Sequence, residues 1–133
     1  MSTINTNARE LLELAAKAAG LKIDKSPDNG GGIGNDGFDM LGNVVLDWHN
    51  GVTWNPRTDS GQALELAVRL GIDFSIHRDS PGCFDAFSRA CWYADDEAFG
   101  ECDESHNGDP LAATCLAITR AAAEIGRTAP AGG

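Results

Sequence analysis

The apolar residues of this chain change their spacing along its length, and that change constrains the fold more than any single motif. Three stretches repeat at helical steps of three and four. They are Ala8, Leu11, Leu12, Ala15, Ala18 and Ala19; then Ala63, Leu66, Ala67 and Leu70; then Leu111, Cys115, Ile118, Ala122 and Ile125. Between them the period drops to that of a strand. Ile72, Phe74 and Ile76 alternate with Asp73, Ser75 and His77, and NVVLDWHNGVTWN, residues 43 to 55, reads as two short strands about a turn.

Punctuation residues set the boundaries. Gly20 and Gly71 stop helices, because a left-handed residue after the last turn is cheap only for glycine. Asn50-Gly51 predicts a tight hairpin with positive φ at both turn positions, and Pro56 ends it. Asp59 predicts an N-cap with Gln62 completing a capping box. Ser80-Pro81-Gly82 predicts a turn into a strand lying somewhere in 84 to 94. Asp109 predicts a second cap, with Pro110 at the first helical position, where a missing N–H costs nothing. Gly126 and the following TAPAGG read as a fraying end.

The expectation is a single α+β domain over 1–133. An antiparallel sheet of about four strands is packed by three helices in the order α-β-β-α-β-β-α, as a layered sandwich. Residues 1–6 and 127–133 are expected to be flexible. Residues 26–37 form a Gly-rich loop and residues 95–109 an acidic loop.

Ten Lys and Arg stand against twenty Asp and Glu, a formal net charge of -10. That balance argues against a general grip on DNA, RNA or an anionic membrane, and leaves room for a basic partner. The N-terminus has no charged start followed by an apolar run, and no apolar stretch approaches the roughly 20 residues of a membrane span. These features predict an intracellular protein in which Cys83, Cys91, Cys102 and Cys115 are reduced thiols. Cys91 and Cys115 read as buried thiols in a strand and a helix.

Gly32-Ile33-Gly34-Asn35-Asp36-Gly37 spells G-x-G-x-x-G. In a dinucleotide fold that loop follows a strand and opens a helix, whose N-terminus meets the pyrophosphate. Here it follows a helix and leads into a hairpin, with Asp28, Asp36 and Asp39 where a phosphate would sit. The loop reads as a connector. Its Asp and Asn residues lack the spacing of a calcium loop.

The segment DDEAFGECDESHNGD, residues 95 to 109, holds seven carboxylates and no Lys or Arg. Cys102 and His106 lie four apart, which on a helix would face one ligand. Zinc sites ordinarily pair such ligands with a second C-x-x-C or H-x-x-x-H element, absent here. There is neither a G-x-S-x-G elbow nor an H-E-x-x-H helix. No cofactor is expected, and no residue is assigned a catalytic role. Trp48, Trp54 and Trp92 fall on predicted strands, where core packing is the default.

Trp54-Asn55-Pro56-Arg57-Thr58-Asp59 with its following Ala-Leu helix, the aromatic strand CWYA, and the closing helix GDPLAATCLAITRAAAEIG resemble the phage alpha-beta-alpha sandwich domain. They also resemble the related ninX-like small phage proteins. The resemblance covers about residues 54 to 126. It implies a phage or prophage origin, a layered α/β architecture and the host cytoplasm, and it carries over no catalytic residues.

The leading expectation is therefore a non-enzymatic accessory protein that binds a host component, with a counter-defence role through an acidic surface. Asp95, Asp96, Glu97, Glu101, Asp103 and Glu104 are the candidate partner surface, and a basic host protein is the expected partner. Rows of carboxylates can compete with phosphates for a basic groove. A small-ligand or nucleotide-sequestering protein using the 28–39 loop is the second reading. A metal-assisted hydrolase built from Asp, Cys and His residues is the third.

Overall fold

A computed structural model of the chain describes residues 8–24, 37–39, 42–47, 49–77, 86–94 and 98–128. Helix α1 spans Ala8–Ala19. Strands β1 (Val44–Asp47) and β2 (Val52–Trp54) follow, then helix α2 (Ser60–Leu70). Strands β3 (Asp73–His77), β4 (Phe87–Ala94) and β5 (Ala98–Ser105) lead to helix α3 (Pro110–Thr128). The fold is α+β, with two antiparallel sheets, β1-β2 and β3-β4-β5.

The expected sandwich is present, but with one more strand than the sequence reading held. β5 occupies most of the segment expected to be an acidic loop. It pairs with β4 in unbroken antiparallel register from Phe87↔Ser105 to Ala94↔Ala98. Carboxylates disguise it, because Glu101 and Asp103 point away from the helices while Gly100 and Cys102 point towards them. A strand needs only one covered face. Gly100 is required there: a Cβ at this position would come within 2.2 Å of the ring of its cross-strand partner Trp92.

α3 is the element on which the rest converges. It packs on α1, on α2 and on the strands of the larger sheet. Being covered from several sides, it buries far more than one stripe: Ala113, Ala117, Ile118, Thr119, Ala121, Ala122 and Ala123 are all enclosed. The alanines let the neighbours approach closely. Thr114 and Thr119 satisfy their hydroxyls within the helix, donating to the carbonyls of Pro110 and Cys115, at 2.8 Å each.

Gly126 does not end α3, which continues through Thr128; it lies where α3 passes close to the backbone of α1. The expected flexible end at 127 is helical to 128, and residues beyond that lie outside the described set, as do 1–6.

The predicted caps form. The Asp59 carboxylate accepts from Gln62 N–H at 3.0 Å, and Gly71 (φ 70°) closes α2. Asp109 accepts from Ala112 N–H at 3.0 Å, with Pro110 as the first residue of α3. Gln62 does not reach back to the cap. Its Oε1 accepts instead from Asn55 N–H at 2.6 Å, and Asn55 Nδ2 donates to Asn43. Asn43 in turn donates to Asp39 through its backbone N–H and its side-chain amide. This relay ties the hairpin to the start of α2.

The hairpin turn also differs from expectation. Among the described turn residues only Gly51 has positive φ, Asp47 pairs directly with Val52, and the register shifts between Val45 and Asp47. Asp47 accepts from the backbone and side chain of Asn50, so the longer turn is held by a side chain rather than by two left-handed residues.

Candidate functional site

Alternation along the larger sheet sorts its residues onto two faces. Phe74, Ile76, Ser88, Ala90, Trp92, Gly100, Cys102 and Glu104 lie on the side that α3 covers. Asp73, Ser75, His77, Phe87, Arg89, Cys91, Tyr93, Glu101, Asp103 and Ser105 share the other side. Among the described residues no helix packs on that second face, and it stands open.

The predicted acidic surface is divided between these faces. Glu101 and Asp103 are exposed on the open face. Glu104 lies on the helix side, where it pairs with Arg120. Asp95, Asp96 and Glu97 lie outside the described residues.

Arg89 sits between the two carboxylates of the open face. Its Nε donates to Asp103 Oδ1 at 2.8 Å and an Nη to Oδ2 at 3.1 Å, with Glu101 Oε1 3.2 Å from Nε. The forked contact holds the Asp103 carboxyl below its ordinary value and raises the guanidinium further. Asp73, Glu101 and Asp103 against one Arg89 leave the face acidic. Beside them the His77 and Phe87 rings stack at 4.4 Å, and Tyr93 is 66% exposed.

The open face was only half legible in sequence. Period-two alternation identified β3, but the role of Arg89 as the centre of the carboxylates gave no local signal. Cys91, expected to be buried, is partly exposed on this face because the helices cover only the other side of β4. Burial, then the nearby Glu101, raises its thiol above the ordinary value. Trp54 is buried and Trp92 packs against the core. Trp48 lies outside the described residues.

Ser88 and His106 bring a serine hydroxyl 2.9 Å from a histidine Nε2, the arrangement a nucleophile would need. The proton direction is wrong for that role. Thr114 spends its proton on the Pro110 carbonyl, so its oxygen accepts from Ser88 at 2.7 Å. Ser88 then has only lone pairs to offer His106, which must donate from Nε2. An activated serine donates to its base. Ser88 is also wholly enclosed and His106 nearly so. This chain of hydroxyls satisfies buried polar groups where β4, β5 and α3 meet.

Cys102 and His106 lie along an extended segment rather than on a helix, and no group of three or more His, Cys, Asp or Glu among the described residues is placed to hold a metal. Burial pushes the Cys102 thiol up to about 11. Cys115 is buried, with its thiol also raised, by burial first and then by Asp59 and Asp109.

The G-x-G-x-x-G residues 32 to 36 lie outside the described set. Just beyond them, Phe38 is buried in the core and bridges to Val44, so the far end of the segment is anchored to the hairpin.

A second surface went unrecognised in sequence. Leu111, Phe74 and Ile76 were expected to be core; they are 60%, 39% and 51% exposed. All three line one groove of about 350 Å³ between α2, β3 and α3, with Ala63, Leu64 and Cys115. The reason is positional. α3 lies mainly over β4 and β5 and touches β3 little, while the first turn of α3 runs past the part of the helix that packs. Among the described residues no charged side chain lines the groove. The helices beginning beside it are capped by Asp59 and Asp109, whose carboxylates disfavour a phosphate there.

Fold and surfaces together define, among the described residues, an α+β layered protein with an open antiparallel face and an apolar groove. The chain matches no protein-family model, no curated protein and no solved structure. Among the described residues no helix is long and apolar enough to cross a membrane.

Proposed function

We propose that this chain is a non-enzymatic binding protein that engages a basic host protein through the open face of β3-β4-β5. The observation that carries the reading is the composition of that face. Exposed Asp73, Glu101 and Asp103 share the face with one arginine, already committed to Glu101 and Asp103, and aromatic rings at His77, Phe87 and Tyr93 supply apolar contact. Carboxylates on a rigid sheet attract a basic patch that otherwise meets phosphate, and aromatic neighbours give the contact specificity. Glu101 and Asp103 are the part of the predicted acidic set that this surface uses. Phage or prophage origin, a counter-defence role and the host cytoplasm rest on the sequence resemblance.

The test is an affinity capture from bacterial host lysate at low and high salt. The neutralised variant carries Asp73→Asn, Glu101→Gln and Asp103→Asn. A basic protein captured at low salt, released by high salt and lost with the neutralised variant supports the reading. Capture that is indifferent to both removes it.

A further inference from the structure

We propose that β3 is a homodimer interface, pairing antiparallel with β3 of a second copy about a twofold axis at Ser75.

β3 and β5 are the two edges of the larger sheet, and they are built differently. β5 carries Glu101, Asp103 and Glu104, charges of the kind that discourage another strand from adding. β3, Asp-Phe-Ser-Ile-His, is guarded less: its one carboxylate, Asp73, stands at its first position. It contains no proline or lysine, and it pairs with β4 over all five residues without a bulge. Among the described residues its backbone pairs with β4 alone. Every one of its residues is exposed.

The sequence of β3 is complementary to itself. Centring an antiparallel pair on Ser75 places Phe74 opposite Ile76 of the second copy, and Ile76 opposite its Phe74. The same register sets Asp73 against His77 and His77 against Asp73, a carboxylate facing an imidazole donor at each end. Directly opposed residues in an antiparallel pair point to the same side. The apolar pairs therefore fall on the helix side and the polar pairs on the open side. A shift of one residue would destroy both matches.

The groove supplies the remaining surface. A twofold axis normal to the sheet turns both grooves to the same side of the joined six strands. Phe74, Ile76, Leu64 and Leu111 of each copy then border one apolar trough across the axis. This accounts for why a strand and a helix turn with core-like sequence lie uncovered in the single chain. It also leaves Glu101 and Asp103 open on a face continuous across both copies. Asp73 and His77 serve the seam as well, so Glu101→Gln with Asp103→Asn is the variant that tests the host contact apart from the dimer.

Light scattering on the eluting protein should give twice the 14.0 kDa chain mass. Ile76→Asp should weaken the dimer by about a hundredfold or more, since it places a carboxylate in the apolar seam. Its circular dichroism and melting should remain those of a folded chain. Ser75→Cys places two thiols at the axis, where opposed Cα atoms are roughly 4.5–5.5 Å apart, within disulfide reach. It should form a covalent dimer under mild oxidation, while Ser105→Cys on the far edge should behave as wild type. A monomer at every concentration would overturn the proposal. So would a dimer that tolerates Ile76→Asp and cross-links no better through position 75 than through 105.

Discussion

Gly126 faces the backbone carbonyl of Leu14 so closely that a Cβ would come within 2.0 Å of its oxygen. This contact sets the separation of α3 and α1, and it makes a glycine inside a helix the favourable residue. In an isolated helix, Gly→Ala gains up to about 1 kcal/mol. Here the sign reverses. Gly126→Ala must push the helices apart, and urea unfolding should show a loss of about 1–3 kcal/mol.

The β4–β5 ladder contains a related constraint. Gly100→Val should displace the Trp92 ring, which fills the space above Gly100. The expected result is a melting temperature lowered by several degrees, about 1–3 kcal/mol of overpacking, with a shift in tryptophan emission. Unchanged emission would mean that Trp92 packs elsewhere.

Asp59→Ala and Asp109→Ala should each cost about 1 kcal/mol, because each removes the side-chain acceptor for the first turn of a helix. Asn at either position retains an acceptor and should recover most of the loss. Chemical denaturation of the four variants checks the pair.

Asp103 predicts a pH dependence of defined sign. Arg89 holds its carboxyl below the ordinary 3.8 in the folded chain. Such a group adds stability above its unfolded value, and that stability is lost as pH falls through the lowered folded value. The pair is largely exposed, so solvent screening keeps the effect small. The melting difference between wild type and Asp103→Asn should be constant at neutral pH and fade as acid protonates the carboxylate below its ordinary range. A difference that grows with acid contradicts this assignment.

The cysteines should label in order of access. Cys91 is partly exposed on the open face, whereas Cys102 is turned towards α3 with its thiol near 11, and Cys115 is enclosed. Brief alkylation at pH 8 followed by peptide mass analysis should find Cys91 modified before Cys102, and Cys115 only after denaturation.

The sequence alone determined the elements whose causes are local. Helical periods located α1, α2 and α3; Asp59 and Asp109 marked two starts, and Gly71 marked a stop. β5 escaped because its exposed face is charged and its covered face is small and polar, so neither apolar alternation nor length revealed it. Tertiary structure alone decided which apolar faces are covered. Phe74, Ile76 and Leu111 have the same local signature as Leu12 or Ile118, yet they stand exposed while the latter are enclosed. Periodicity fixes the side of an element to which a residue points. Whether another element meets that side depends on long-range packing, here on α3 lying over β4 and β5 and leaving β3 uncovered.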